Sequence, residues 1–222
     1  LDGIEVEAAA FEPIVSDLVE RLKHHPQQFT QLALLIQGRE DYLPDHAYTT
    51  TVLAMATAAA LKWSQRDVQL IGRTGLVFEL GMLLVPERIR VGMCELSEID
   101  RGRVQRHPVF TLSMLQAVKG IDPIVRLAAL QHHERENGMG YPHNTRKDDI
   151  CDLARVLAVA DTFAAATEPR SYRNKKLPYT AMEETIRSTS TNSFWKPAAR
   201  ALVQAAGLFP VGSYVRLSNN GN

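Results

Sequence analysis

Apolar side chains recur at intervals of three and four residues along almost the whole chain. That spacing places them on one face of an α-helix, whereas a half-buried strand needs strict alternation. The sequence has no internal repeat, no low-complexity run and no alternation of strand and helix patterns. We therefore predict an all-α fold, a helical bundle that ends in a short extended segment near residues 212–217, which could pair as a small hairpin.

Capping residues and helix breakers set the predicted helix boundaries. Pro26 separates the first two helices, and Asp45 is predicted to cap the third. Ser64 with Asp67 three residues later is typical of a capping box. Glycine and proline between 81 and 92 predict a loop. The predicted helices span 11–23, 27–36, 45–63, 64–80, 97–105, 109–118, 123–131, 152–167, 179–188 and 196–206.

Composition limits the classes of partner and compartment. The 222 residues are enough for one large domain, and 25 basic residues balance 25 acidic ones. We therefore predict no nucleic-acid partner and no membrane partner. No apolar run approaches the ~20 residues of a transmembrane helix. Cys94 and Cys151 form no CxxC pair and indicate reduced thiols in a cytoplasmic protein, with a single disulfide as the alternative.

Histidine and carboxylate side chains fall at or near the ends of several predicted helices. Asp161 and Glu79 lie on apolar stripes, and a buried carboxylate is costly unless a cation or several donors meet it. Taken singly, each polar residue is more simply a hydrogen-bonded buried group. Taken together, they are the residue types with which helical bundles build metal centres. The set is His46, Glu79, His107, His132, His133 and Asp161. The histidines interpreted as surface residues are His24, His25 and His143.

Residues 132–142 read His-His-Glu-Arg-Glu-Asn-Gly-Met-Gly-Tyr-Pro. Two adjacent histidines and an acid place several metal-ligand types together. The glycines and proline that follow predict a sharply turned loop rather than a continued helix. This segment resembles the signature of HD-GYP domains, which are metal-dependent phosphodiesterases that hydrolyse cyclic di-GMP.

The resemblance covers about 40–218 and depends on several blocks in the family's order. It implies an HD-superfamily helical bundle over 41–222, preceded by an N-terminal helical extension over 1–40. The matching blocks are His46, the frame 76–87, His107-Pro108, the segment 132–142, the helix around Asp161, the Arg-x-Tyr-Arg pattern at 170–173, and the ending 207–217.

Four positions depart from the family pattern. Phe78 and Glu79 stand where the family has its His-Asp pair, and Met82 stands where it has lysine. Asn137 replaces the usual Asp of the loop. Phe78 cannot bind a metal, and Met82 removes a cation that could steady a phosphate. We assign no catalytic residue and expect Phe78 and Met82 to fill space by apolar packing.

The resemblance implies a metal centre with an uneven ligand count. In the family, a hydroxide between two metal ions attacks the phosphodiester. Without a histidine at Phe78, the site of His46 and Asp161 keeps two ligands, and we expect it to be empty. We predict either no cofactor or one divalent transition metal, either iron, zinc or nickel. The expected ligands of that ion are Glu79, His107, His132 and His133.

Three functions are compatible with the sequence. The first is a catalytically inactive signalling module that binds a protein partner through the Gly-Tyr-Pro loop, or binds cyclic di-GMP. The second is a residual single-metal phosphodiesterase or phosphohydrolase, and the third is a structural or dimerising module. A homodimer through the N-terminal helices is one expected partner. The intact loop favours the first over the third, because loops carry binding functions, although a plain turn would use the same residues. The predicted binding residues are Asn137, Gly140, Tyr141, Pro142, Arg170 and Arg173, with the two arginines as phosphate ligands or a solvated pair.

Overall fold

The computed structural model describes residues 7–35, 42–90, 96–168, 176–210 and 212–214. Within those ranges the chain is helical and has no strand, only an isolated bridge between Glu7 and Lys119, so the all-α prediction is confirmed. Short 3-10 segments occupy Ala8–Phe11, Leu80–Leu84 and Lys147–Asp149. The α-helices are α1 (Glu12–His24), α2 (Pro26–Leu35), α3 (Tyr42–Ala60), α4 (Gln65–Val77), α5 (Glu87–Arg90), α6 (Glu98–Val104), α7 (His107–Gln116), α8 (Pro123–Gln131), α9 (Asp152–Thr167), α10 (Pro178–Arg187) and α11 (Lys196–Ala206).

Several predicted boundaries agree with the structure. The predicted bounds of α8, α9 and α11 match the observed ones. Ser64 caps α4, since its hydroxyl accepts a hydrogen bond from the Asp67 N–H at 3.2 Å. These are the helices in which a capping residue, proline or glycine stands directly beside the apolar pattern, so local sequence determines where they begin or end.

Two boundary predictions were wrong. Helix α3 begins at Tyr42, so Asp45 lies within its first turn and does not cap it. The predicted loop 81–92 instead contains the end of a 3-10 segment and the short helix α5, packed through an apolar cluster of Leu43, Met82, Val85 and Ile89. Tertiary burial therefore overrode the glycine and proline signals there. Of the predicted C-terminal extended segment 212–217, residues 215–217 lie outside the described residues, and 212–214 contain no strand.

Helix α3 is the central element of the bundle. It packs against α2, α4, α9 and α11, so it is surrounded on most sides. Helix α9 is buried along nearly its whole length, including Asp161. A carboxylate on such a helix must find its partners inside the protein. The two helices therefore determine where polar groups of the interior can meet.

The N-terminal helices α1 and α2 pack into the same core. Val15 and Leu18 of α1 and Phe29 of α2 are buried in one apolar cluster with residues of α3, α4 and α9. The division at 40/41 therefore stays a prediction about chain organisation and does not correspond to a break in packing. In the part of the chain that is described, no helix combines the length and apolarity needed to cross a membrane. Cys151 carries a free, half-buried thiol, and Cys94 lies outside the described residues.

A hydrogen-bonded clamp holds the turn after α4 against the start of α7. The Gly81 N–H donates to the Thr111 hydroxyl at 2.8 Å, and that hydroxyl donates to the Phe78 carbonyl at 3.0 Å. A Cβ atom on Gly81 would lie 2.0 Å from the His107 carbonyl oxygen. Only glycine permits this approach, which brings Glu79 and His107 together.

We predict that Thr111→Val destabilises the protein by about 1–3 kcal/mol, because it leaves a buried N–H and a buried carbonyl unpaired. Thr57→Val is the matched control. The Thr57 hydroxyl is equally buried but donates to the carbonyl of Leu53, four residues earlier on its own helix, so its loss leaves no backbone group unpaired. Urea unfolding of both variants measures the difference. Equal stability losses would show that the clamp has no special role.

Candidate metal centre

The six candidate side chains converge, as predicted, although they are far apart in sequence. Their ligand atoms form two groups, each with all atoms within 4.8 Å of one another. Glu79 belongs to both groups. One group is Glu79, His107, His132 and His133, and the other is His46, Glu79 and Asp161.

Helix ends and buried helix faces bring these side chains together. His107 is the first residue of α7, and His132 and His133 directly follow α8. Glu79 begins the turn after α4. His46 and Asp161 project from within α3 and α9, and both are buried. The surface interpretation of His24, His25 and His143 agrees with their exposure.

The imidazoles of His107 and His132 face each other through their Nε2 atoms. The Nδ1 of His107 lies 2.7 Å from the Val104 carbonyl oxygen, and the Nδ1 of His132 lies 2.7 Å from the Ala129 carbonyl oxygen. A carbonyl only accepts hydrogen bonds, so each neutral ring carries its proton on Nδ1. The two Nε2 atoms, 3.2 Å apart, then both present lone pairs. A cation between them would relieve that repulsion.

Glu79 places one oxygen toward each group. Its Oε2 lies 3.6 Å from the His107 Nε2, and its Oε1 lies 3.9 Å from the His46 Nε2. The Oε2 atom is buried and has no hydrogen-bond partner in the described part of the chain. An orphaned carboxylate oxygen beside imidazole nitrogens fits a divalent transition metal ion. The ligand count made from sequence was incomplete, because Glu79 adds a third group to His46 and Asp161.

His46 is held between two carboxylates. Its Nε2 lies 2.9 Å from Asp161 Oδ1, and its Nδ1 lies 2.8 Å from Glu168 Oε2. Burial acts to lower the pKa of His46, but Glu168 and Asp161 together raise it to about 10. Burial acts to raise the pKa of Asp161, whereas the hydrogen bond and charge of His46 lower it to about 2. The His46 imidazolium and the Asp161 carboxylate therefore form an ion pair at neutral pH when no metal is bound.

The sequence reasoning missed Glu168. It lies seven residues after Asp161, which corresponds to the same face of a helix, and that spacing was the available signal. Its partner histidine is 122 residues away, so no local pattern reveals the pairing. An outer carboxylate on the Nδ1 of a histidine also fixes which nitrogen is free to bind a metal.

The other group is prepared for a metal in a different way. Burial, together with the neighbouring His107, lowers the pKa of His132 to about 3. Burial and the charges of His132 and His107 hold the pKa of His133 well below its usual range. Both rings are therefore neutral at physiological pH, and a metal ligand must be neutral imidazole.

Phe78 and Met82 both fill apolar space, as predicted. Phe78 is completely buried, with its ring centroid 5.9 Å from the His46 ring and 4.9 Å from the His132 ring. Met82 belongs to the small apolar cluster beneath α5. Neither side chain offers a ligand or a positive charge to the centre.

The Gly-Tyr-Pro loop is fastened to the centre by backbone hydrogen bonds. The buried carboxylate of Glu134 accepts from the N–H groups of His143 at 2.7 Å and Thr145 at 2.9 Å. A Cβ atom on Gly140 would lie 2.4 Å from the His133 carbonyl oxygen, so glycine is required for this approach. The Tyr141 ring stacks on the His133 ring at 4.5 Å.

The remaining predicted binding residues have different surroundings. The side-chain amide of Asn137 donates to the Thr191 carbonyl, and its oxygen accepts from the Met139 N–H, so Asn137 shapes the loop. Pro142 is half-buried. Arg170 and Arg173 lie outside the described residues. The role of all these residues in binding stays a prediction.

A model of the HD domain matches residues 9–193, so the chain belongs to the HD-domain family. The cyclic di-GMP phosphodiesterase PA4108 of Pseudomonas aeruginosa is 31% identical over 98% of this chain and 52% of that protein. The cyclic di-GMP phosphodiesterase response regulator RpfG of Xanthomonas campestris is 26% identical over 72% of this chain and 43% of that protein. The chain therefore spans about half, or less, of these relatives. Both relatives are named cyclic di-GMP phosphodiesterases, which confirms the resemblance to HD-GYP domains.

Two solved structures share the fold. Bd1817, an HD-GYP-type protein from Bdellovibrio bacteriovorus, has a TM-score of 0.73 at 17% identity and covers 89% of this chain and 64% of its own. The HD domain of PgpH from Listeria monocytogenes, solved with cyclic di-AMP, has a TM-score of 0.52 at 14% identity over 85% of this chain and 94% of its own. At these identities the likeness concerns the fold alone.

The His46 ion pair predicts a pH-dependent stability of the metal-free protein. Because the folded pKa of His46 is raised to about 10, its contribution is fully present below its ordinary pKa of 6.5 and is lost as the pH rises through the folded value. We expect the stability difference between the wild type and His46→Gln to be a few kcal/mol near neutrality and to shrink steadily toward pH 10.

Urea unfolding at a series of pH values, with a chelator present, measures this trend. His25→Gln, at an exposed histidine of the α1–α2 junction, is the control and should show no such dependence. A stability difference for His46→Gln that stays constant or grows with pH would contradict the ion pair.

Proposed function

We propose that this chain is a signalling module of the HD-GYP type that holds one divalent transition metal ion and does not hydrolyse cyclic di-GMP. It acts by binding the cyclic dinucleotide or a protein partner. The placement of Phe78 carries this proposal. Its buried ring cannot bind a metal and contacts one imidazole from each metal-ligand group. It stands where the HD-GYP family pattern has a histidine ligand.

The single ion belongs with His107, His132, His133 and Glu79. Two of these histidines have pKa values that keep them neutral at physiological pH. His46, by contrast, must first release a proton that two carboxylates stabilise. When bound, the ion would act as a Lewis acid toward a phosphate oxygen.

The surrounding residues of this chain would position a ligand rather than transform it. Glu134 fixes the loop that follows the histidine pair. Tyr141 covers one face of the His133 ring. Met82, in an apolar cluster, supplies no charge for a phosphate. Phe78 and Met82 thus leave the shape of the site in place but supply neither a metal ligand nor a charge that would steady an attacking water.

Residual phosphodiesterase activity is the second candidate, and Glu79 is the observation that favours it. Its two oxygens face the two ligand groups, so one carboxylate could bridge two ions after His46 is deprotonated. The named activities of the relatives, cyclic di-GMP phosphodiesterases, agree with this candidate. Metal stoichiometry and turnover separate it from the first.

A protein partner would meet the loop at Met139, whose side chain is 84% exposed at the loop tip. A rigidly held loop that presents one large apolar side chain is suited to such a contact, because little ordering is needed on binding. Dimerisation through the N-terminal helices stays a prediction. The apolar residues of α1 and α2 named above are buried within this chain.

We expect no detectable hydrolysis of cyclic di-GMP by protein loaded with iron, zinc or nickel. Calorimetric titration with cyclic di-GMP, run in parallel, tests nucleotide binding. Phe78→His combined with Glu79→Asp and Met82→Lys restores the family pattern, although altered packing around new ligands makes recovered turnover unexpected. Robust turnover by the metal-loaded wild type would refute the proposal and support the second candidate.

We also predict that His133→Ala abolishes uptake of the single ion, measured by elemental analysis after chelation and reloading. His133→Ala removes one direct bond to the ion, and loss of a direct ligand weakens binding by more than the roughly 10–100-fold that is typical when only an outer-shell partner is removed. His143→Ala, at an exposed histidine of the same loop region, should keep full metal content. Metal retained by His133→Ala but lost in His46→Ala would show that the ion occupies the other group.

A further inference from the structure

A second concave site lies far from the metal-ligand cluster. A cavity of about 450 Å³ is bounded by α1, α2, α11, the end of α3 and the start of α4. Its volume falls in the range of pockets that take small organic ligands. His46 lies near the other end of α3, and the rise per residue separates it by about 15–20 Å from the α3 residues that line the cavity. The cavity is therefore independent of the proposed metal site.

The cavity has an apolar floor. The buried residues that line it are Val19, Leu22, Ala56 and Val68. The half-buried ring of Trp63 forms part of the wall. The four buried side chains offer no hydrogen bond to a ligand, and Trp63 offers a single indole N–H donor. The buried part of an occupant must therefore be mainly hydrocarbon or aromatic.

The rim of the cavity is cationic and polar. Lys23 and Lys62 lie on it, and no acidic residue is among the described residues that line it. The Lys23 ammonium lies 2.9 Å from Glu20 Oε1, but exposed pairs of this kind are weak and exchange easily. The remaining polar residues of the rim are Gln27, Gln65 and Gln204. An anionic group would therefore be attracted to the mouth of the cavity.

Lys62 adopts a backbone conformation that side chains rarely take. Its φ is +64°, and it ends α3 through hydrogen bonds from Lys62 N–H to Ala59 and from Trp63 N–H to Ala58. Glycine is the residue usually found at this helix-ending position. A side chain kept in an unfavourable conformation is more common at binding sites than elsewhere, and here the side chain is a cation at the rim.

We propose that this cavity binds an amphipathic organic anion, a carboxylate with an apolar chain or ring. The apolar part lies against the floor beside Trp63. The carboxylate lies at the rim and pairs with Lys62 and Lys23. The proposal does not depend on the metal ion or on the function of the loop, and its failure would leave both unaffected.

Calorimetric titration of the whole chain with decanoate tests the proposal, with decanol as the uncharged comparison. We expect saturable binding of one decanoate per chain, weaker binding of decanol, and loss of the difference at high salt. No binding of decanoate, or equal binding of decanol at low salt, would overturn it.

Three variants locate the site. Lys62→Gly should fold at least as stably as the wild type, because glycine suits the conformation, yet bind decanoate about threefold more weakly. Ala60→Phe should fill the cavity and abolish binding. Lys147→Gly is the matched control, since Lys147 also has positive φ, +41°, but does not line the cavity, and it should bind normally. Unchanged affinity in Lys62→Gly would overturn the assignment even if Ala60→Phe fails to fold.

Discussion

The face-to-face placement of two buried imidazoles is the constraint on which the centre depends. Backbone carbonyls accept from Nδ1 of His107 and His132, so when both rings are neutral the lone pairs of their Nε2 atoms meet at 3.2 Å. Helix termini supply those carbonyls, and the clamp at Gly81 and Thr111 keeps the α7 start in place. Two buried acceptors that face each other are costly unless a proton or a cation lies between them, and this cost is the physical basis of the proposed metal site.

The two ligand groups differ in the charge that compensates their buried polar atoms. His46 supplies its own positive charge, which Asp161 and Glu168 stabilise from both ring nitrogens. In the other group, burial and the neighbouring His107 lower the pKa of His132 to about 3, so that imidazole carries no positive charge at neutral pH. Glu79 stands between the groups with a buried oxygen that lacks a partner. Proton binding in one group and the metal binding proposed for the other would therefore complement each other, which is why the proposal needs one ion rather than two.

The sequence predicted the structure best where capping or motif residues stand directly beside an apolar helix pattern. The helix bounds of α8, α9 and α11 and the convergence of the candidate ligands followed from capping signals, apolar periodicity and the order of the motif blocks. It failed where a long-range contact decides. Glu168 has no local signature for its pairing with His46, and α5 forms only because its apolar face packs against residues such as Leu43 and Met82. The orientation of both Glu79 oxygens also depends on a turn that no local pattern describes.

Phe78 explains how a fold can keep the shape of a metal centre while its chemistry changes. A phenyl ring is flat like an imidazole but somewhat larger, and that of Phe78 packs edge-on against His132. Apolar side chains of roughly suitable size are tolerated in close-packed interiors, so Phe78 fills the space beside the candidate ligands without offering one itself. The positions of the surrounding helices depend on how side chains pack, whereas hydrolysis depends on which side chains can bind a metal. Membership of the HD-domain family therefore fixes the architecture of this chain, and the function must be argued from the ligands that the centre retains.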